Sequence, residues 1–241
     1  MAELRVCALY PELMNIYADR GNMLMLERRC RWRGIGFRLE GRSLGEALDP
    51  EAHDLLYLGG GQDRDQRACA FDLTETKRDA VHAAAARGAV VLGVCGGYQL
   101  LGHAYELGDD TLPGIGLVDL RTVREDGPRL IGNVAIEVEL DGARHTLAGF
   151  ENHGGRTYLR SGASALGRVL RGHGNNGRDG LEGVHEGTVV GTYLHGPLLP
   201  KNAHFADWLI ATALGLERPL EALDDALERR AHAEARRAAG V

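Results

Sequence analysis

The residues best placed to do chemistry lie in "AVVLGVCGGYQLLGHA", residues 89–104. An apolar run reaches Cys95, two glycines follow, and a helix-like pattern takes over. A sharp strand-to-helix turn lifts its central side chain out of the sheet. Glycines beside it tolerate a positive φ and a close approach of neighbouring backbone. The start of the following helix favours a thiolate over a thiol, and the N–H of Gly96 can donate to an oxyanion. The chemistry on offer is nucleophilic attack on a carbonyl. Taken alone, a cysteine after an apolar run reads more readily as a packing residue, because free cysteine is among the most buried residue types. The Gly-Gly pair and Gln99, four residues after Cys95, turn that balance toward a nucleophile.

A cysteine nucleophile needs a histidine within hydrogen-bond reach. Of the ten histidines, His195 in "VVGTYLHGPLL" stands out, because it terminates an apolar strand late in the chain. A parallel sheet exposes its strand C-termini on one edge, the edge that would carry Cys95.

The elements that must position these two residues can be read from pattern. "ELRVCALY" (3–10), "GFRLEGRSL" (36–44), "HDLLYLGGG" (53–61) and "AVVLGV" (89–94) predict short strands. "MLMLERRCRWRG" predicts a helix ending near Gly34, and "LTETKRDAVHAAAARG" (73–88) a helix capped by Thr74 and stopped by Gly88. A further helix is expected from Gly96 to about Leu107. Such alternation is the signature of an α/β fold, a parallel sheet covered by helices on both faces.

The second half changes character. "GIGLVDLRTVRED", "RLIGNVAIEVELDG" and "ARHTLAGFENH" predict strands, with a hairpin at "LDGAR". "LRGHGNNGRDGLEGV" (170–184) predicts a loop, its "GHGNNG" either a lid or a flexible turn. "EGTVVGTYLHGPLL" predicts a strand running to His195, "NAHFADWLIATALGL" a helix, and the tail a charged amphipathic helix over about 219–239. With no internal repeat and no long linker, residues 1–241 are expected to form one domain.

Composition narrows the class. An apolar fraction of 44% and a charged fraction of 26% fit a soluble globular chain with a substantial core. A net charge of −6 offers no overall field for nucleic acid or an anionic membrane. Cys7, Cys30, Cys69 and Cys95 form no CxxC pair, which argues against a zinc ribbon or a thioredoxin-like motif. Neither a leader pattern nor a membrane-length apolar run is seen. The expectation is a cytoplasmic, reducing setting with free thiols.

The stretch "GVCGGYQ" (93–99) resembles the nucleophile motif of class I glutamine amidotransferases, G-[hydrophobic]-C-x-G-x-Q. The resemblance implies their flavodoxin-like fold, with a central, mostly parallel sheet and helices on both faces. It also implies that Cys95 attacks the side-chain amide of L-glutamine and that Gln99 helps to hold this substrate. The family takes a second oxyanion donor from a glycine loop after an earlier strand. "LYLGGGQDRDQ" (56–66) sits in that place, making Gly60 and Gly61 candidates beside Gly96, although three glycines alone mark only a tight turn. Most class I enzymes carry a Glu two residues after the histidine, where this chain has Pro197. "YLHG" instead resembles the cobyric-acid-synthase-like branch, and the orientation of His195 is left to another group, an acid from a partner being one candidate.

Across nearly the whole chain, "LMNIYADRGNMLMLERRCRWRGI", "LGGGQDRDQ", "GVCGGYQLLG", "RLIGN", "GFENHGGRTYL" and "GTYLHGPLLPKN" resemble, in order, the GatD-type glutaminase subunits of lipid II isoglutaminyl synthase. This resemblance implies a two-subunit enzyme. The chain would supply ammonia to a Mur-ligase-like partner (MurT type), which amidates D-glutamate of lipid II to D-isoglutamine at the inner face of the membrane. ATP and Mg are expected on the partner, and no cofactor or metal in this chain, which carries no Walker-type GxxxxGK[ST]. The family also implicates an arginine, here Arg129 in "RLIGN", in binding glutamine; a guanidinium suits the α-carboxylate. A surface arginine is the plainer reading.

Alternatives are a cobyrinate-type amidotransferase, another cysteine hydrolase, or a non-catalytic scaffold. Asn152 and His153 either border the site or form a strand-end turn. Asp19, Arg20 and Asn22 cap the first helix or face a partner. Cys7, Cys30 and Cys69 read as packing or surface thiols, and the C-terminal helix as solvated or partner-facing.

Overall fold

The computed structural model describes residues 2–15, 20–217 and 219–241. In chain order its first half holds β1 (Glu3–Leu9), α1 (Arg20–Arg31), β2 (Gly36–Arg42), β3 (Leu55–Leu58), α2 (Asp63–Asp72), α3 (Arg78–Ala86), β4 (Val90–Val94) and α4 (Gly96–Leu101). The second half adds β5 (Ala104–Leu107), β6 (Asp110–Pro113), β7 (Leu120–Arg124), β8 (Leu130–Leu140), β9 (Ala143–His153), β10 (Gly155–Leu159) and β11 (Gly167–Arg171). It continues with β12 (Leu181–Glu182), β13 (Val184–Glu186), β14 (Val189–Thr192), α5 (Leu198–Lys201), α6 (Ala203–Ala213) and α7 (Ala226–Ala239).

The apolar runs of the sequence become the central sheet, in the order β13-β14-β4-β3-β1-β2. All its pairings are parallel except that of the edge strand β13 with β14. β3, β4 and β14 are buried at every position, as strands covered on both faces must be. Two smaller sheets, β10-β7-β5-β6 and β12-β11-β8-β9, are built from the second half. The long β8–β9 hairpin turns at Asp141 and Gly142, whose φ values of 52° and 75° suit a tight primed turn.

Several expected boundaries move. The helix foreseen from residue 73 starts ten residues earlier as α2 and passes through a π-helical turn, Leu73–Lys77, into α3. Thr74 therefore caps nothing. Its hydroxyl donates back to the carbonyls of Ala70 (2.9 Å) and Phe71 (3.0 Å). Lys77, fully buried at the end of the π turn, pairs with Asp72 at its start, and Asp72 also accepts the Tyr10 hydroxyl at 2.7 Å. Gly88, with φ of 100°, does stop the helix.

The helix after Cys95 ends at Leu101 rather than near Leu107. A Cβ on Gly102 would collide with Leu120, so the chain leaves the helix there and becomes β5. β14 ends at Thr192, three residues short of His195. At the C-terminus only 226–239 is helical, not 219–239. Residues before α7 are held differently: the fully buried Arg29 guanidinium pairs with Asp207 and with Asp225 (2.8 Å), tying this segment to α1 and α6. Of the residues marked near the first helix, Asp19 lies outside the described residues. The Arg20 N–H donates to Asn15 Oδ1 (3.0 Å), and Asn22 is fully buried.

Candidate active site

Cys95 joins β4 to α4 with φ of 53° and ψ of −107°, a conformation L-residues seldom adopt. Its N–H donates to Thr192 O (2.8 Å), and its carbonyl accepts the Gln99 N–H (3.1 Å). The glycines around it are required by contact. A Cβ on Gly97 would strike the carbonyl of Leu58, and one on Gly93 would sit 2.7 Å from Leu101 Cδ1. The elbow is thereby pressed onto the end of β3, where the Gly97 N–H donates to Gly59 O at 2.9 Å.

That contact brings up the glycine loop. The Gly61 nitrogen lies 3.2 Å from where a Cβ of Gly96 would stand. Neither the Gly61 nor the Gly96 N–H is used in a hydrogen bond among the described residues. Two N–H groups thus flank the mouth of the elbow, and Gly60 lies beside them in the same loop. Gly59 contributes a carbonyl that anchors the loop.

His195 reaches the same sheet edge by a different device. It forms an isolated antiparallel bridge with Phe150 of β9, each N–H donating to the other's carbonyl at 3.0 Å. Its ring stands edge-on to Phe150, with centroids 6.1 Å apart. The turn that follows is clamped from two sides. Asn202 bonds both the N–H (2.9 Å) and the carbonyl (2.8 Å) of Ala148, and it donates to Leu198 O at 2.8 Å. Asn22 accepts the Leu199 N–H (2.8 Å) and donates to Tyr57 Oη at 2.9 Å. Pro197, in the position of the family's glutamate, packs on α1, where a Cβ on Gly21 would lie 2.8 Å from its Cγ. Burial, then His153, Lys201 and Arg129, push the His195 imidazole down to about 4. His195 is therefore held neutral.

Gln99 is buried and turned behind the elbow. Its Oε1 accepts from Gln66 Nε2 (2.8 Å), and its Nε2 donates to Tyr193 Oη (3.1 Å). Gln66 also donates to Gly96 O at 3.2 Å. Beneath Tyr193 lies Glu182, fully buried, accepting the Tyr193 N–H (2.6 Å) and the Thr192 hydroxyl (3.0 Å), with burial raising its pKa to about 8. Gln66, Tyr193 and Glu182 escaped the sequence reading. They come from distant segments and share no spacing; only the position of Tyr193, two before His195, hinted at it.

Arg129 is exposed, with Nε on Asn152 Oδ1 and Nη2 on Asn152 O, both 2.8 Å. Asn152 lies two residues beyond Phe150 in β9, the bridge partner of His195. His153 turns the other way, into the protein. Its Nδ1 lies 2.8 Å from Gly155 O, and its ring stacks on Tyr193 with centroids 3.5 Å apart. The "GHGNNG" segment is no open lid. Asn175 and Asn176 are buried, and Glu151 accepts the N–H groups of His173 (2.6 Å) and Gly174 (2.9 Å). Cys7, Cys30 and Cys69 are buried packing thiols, each pushed up to about 12 by burial. Among the described residues, no group of three His, Cys, Asp or Glu side chains could hold a metal ion, and no helix is long and apolar enough to cross a membrane.

The parallel sheet and its cysteine elbow are those of a glutamine amidotransferase of the α/β kind. Residues 5–203 match the CobB/CobQ-like glutamine amidotransferase domain, and the chain belongs to that family. Within it, the chain is 38% identical over 230 residues to the "Lipid II isoglutaminyl synthase (glutamine-hydrolyzing) subunit GatD" of Streptococcus pneumoniae, covering 93% of this chain and 87% of the relative. It is 39% identical to the subunit of the same name from Staphylococcus aureus, covering 88% and 85%. Among solved structures, a chain of PurLQS from Thermotoga maritima aligns with a TM-score of 0.61 at 21% identity, over 88% of this chain and 95% of that one. At that identity the likeness speaks for the fold alone.

Proposed function

We propose that this chain is the glutaminase subunit of a lipid II isoglutaminyl synthase, hydrolysing L-glutamine and passing ammonia to a Mur-ligase-like partner. The partner binds ATP and Mg and amidates D-glutamate of lipid II to D-isoglutamine, in the cytoplasm at the inner face of the membrane. Similarity to GatD subunits over most of both chains supports the assignment. The observation that carries the chemistry is the strained Cys95 elbow, bonded to the strand that leads to His195 and flanked by the N–H groups of Gly61 and Gly96.

In this reading the neutral His195 imidazole takes the Cys95 thiol proton as the sulfur attacks the glutamine carboxamide. The Gly96 N–H, with Gly61 or Gly60, receives the tetrahedral oxyanion. His195 gives its proton to the departing ammonia and then activates the water that releases glutamate from the thioester. Arg129 binds the α-carboxylate. Gln99 serves the substrate from behind, by holding Gln66 and Tyr193 in place.

The experiment is release of ammonia and glutamate from glutamine by the purified chain, with and without a co-expressed Mur-ligase-like subunit, with Cys95→Ala as control. Cys95-dependent release, and transfer to lipid II only by the pair, is the expected result. Glutaminase activity with transfer to a corrin carboxylate instead would move the assignment to a cobyrinate-type enzyme.

A further inference from the structure

Arg156, at the start of β10, is 6% exposed, yet every hydrogen-bond acceptor it meets is a neutral carbonyl. Nη1 donates to Gly154 O (3.0 Å) and Nη2 to Pro128 O (2.8 Å). No carboxylate among the described residues lies within ion-pair distance of it. Burying a guanidinium without a carboxylate is costly, so its place in the fold calls for a reason.

The acceptors supply one. Pro128 immediately precedes Arg129, and Gly154 is the one-residue bend between β9 and β10, two residues after Asn152, which Arg129 grips with two hydrogen bonds. One guanidinium thus fastens the loop from inside while the next residue fastens it from outside. A third, Arg124, packs so closely on this turn that a Cβ on Gly154 would overlap it. On the far side of His195, half-buried Lys201 approaches Gly196, whose Cβ would lie 3.6 Å from its Nζ. None of Arg124, Arg129, Arg156 and Lys201 forms an ion pair among the described residues. Of the nearby carboxylates, Glu125 pairs with Arg178 (2.6 Å) and Tyr158 and feels Arg156 only beyond ion-pair distance, while Glu151 accepts backbone N–H groups. Arg129, held on Asn152, and Lys201, beside Gly196, thus bring positive charge to the segments that flank His195 with no ion pair among the described residues, which suits an anionic ligand group.

We infer that Arg156 is a positioning residue for recognition of the substrate α-carboxylate. It fixes the Pro128–Arg129 loop against the β9–β10 turn and adds buried positive charge behind it, without touching substrate. The inference rests on the reading that Arg129 binds that carboxylate. It makes the site selective for a free α-amino acid over a primary amide lacking the carboxylate.

The test compares two reagents for the Cys95 thiol in the full chain. Iodoacetamide carries no carboxylate; 6-diazo-5-oxo-L-norleucine carries that of glutamine. Arg156→Lys keeps the charge but loses the fork. It is expected to slow the norleucine reagent and raise the glutamine KM by about tenfold or more, as for loss of a charge-assisted contact, with kcat and the iodoacetamide rate within about twofold. In an Arg129→Ala background the same change should add little, because the two act as a unit. An unchanged reagent ratio in Arg156→Lys, with a lowered ratio in Arg129→Ala, overturns the role of Arg156 alone. An unchanged ratio in Arg129→Ala overturns the carboxylate reading and this inference with it. Equal loss of both labels, in Arg156→Lys and in Arg156→Gln alike, makes Arg156 a structural residue only.

Discussion

Thr192 O accepts the N–H of Cys95 at 2.8 Å, so the ladder between β14 and β4 continues one step past Val94 and is closed by the candidate nucleophile itself. The consequence is that the backbone of Cys95 is fixed by the strand that leads to His195. Elbow and histidine loop are one mechanical unit, and the strain at φ of 53° is stored where both meet.

That strain can be measured by substitution. Glycine accepts the Cys95 conformation without the steric cost that alanine bears. Cys95→Gly is therefore expected to be more stable than Cys95→Ala by about 1 kcal/mol, and both should be inactive. Urea midpoints of the two variants provide the comparison. An alanine variant equal to or more stable than the glycine variant would mean that the elbow carries no strain.

Adjacent glycines should fail in different ways. A Cβ on Gly97 meets backbone, the Leu58 carbonyl, which cannot step aside, so Gly97→Ala should cost about 3 kcal/mol or more of stability. A Cβ on Gly96 meets the Gly61 nitrogen at 3.2 Å and the movable ends of Gln66 and Met14 at 3.3 Å. Gly96→Ala should fold, but it should push the two N–H donors apart and lower kcat by about 10²-fold. Thermal unfolding and steady-state glutaminase rates on both variants separate the cases. Loss of activity without loss of stability in Gly97→Ala would contradict the packing argument.

What was legible in the sequence follows the range of the interaction. Cys95 and its glycines were readable because an elbow demands those residue types at consecutive positions. The end of α4 was not, because it is imposed by Leu120 against Gly102. Thr74 looked like a cap because a local signal ignores Asp72 and Lys77, whose buried pair carries the helix through. The delayed start of α7 has a similar cause, the hold of Arg29 on Asp225. The buried set of Gln66, Gln99, Tyr193 and Glu182 brings together four segments, and no spacing announces such a meeting. Arg129 was singled out by resemblance; the structure adds the Asn152 contact that fixes it.

Buried ionisable groups set a stability optimum. His195 and His204 are each pushed down to about 4, by burial first and then by neighbouring imidazoles. His153 and His232 move in the same direction, also by burial. Between pH ~4 and ~6.5 the unfolded chain binds the protons of His195 and His204 and the folded one does not, so stability falls as pH is lowered through that window, and His153 and His232 act with the same sign. Glu182, raised to about 8 by burial, acts with opposite sign: the folded state holds its proton above the usual carboxyl range, and this contribution is lost as pH rises to 8. Inside its window each of His195, His204 and Glu182 contributes on the order of 1 kcal/mol per pH unit. The histidines outnumber the carboxyl, so stability should rise up to about pH 6.5 and decline toward pH 8. Urea midpoints across pH 4.5–8.5 test this, and Glu182→Gln should remove the decline on the alkaline side. A midpoint that climbs steadily to pH 8 would refute the assignment of Glu182.

Gln99 poses the sharpest choice between resemblance and geometry. If its amide binds glutamine directly, Gln99→Met should raise KM. The structure has that amide between Gln66 and Tyr193, with Gln66 reaching on to Gly96 O. Loss of the strut leaves buried donors and acceptors unsatisfied, at about 1–3 kcal/mol, and releases the backbone of Gly96. The expected result for Gln99→Met is a kcat lowered by about tenfold or more, a KM changed less than about twofold, and a lower unfolding midpoint. Gln66→Met should do the same, and the double variant should be little worse than either single one, because both remove the same hydrogen bond. A KM effect confined to Gln99→Met, additive with that of Gln66→Met, would instead place Gln99 on the substrate.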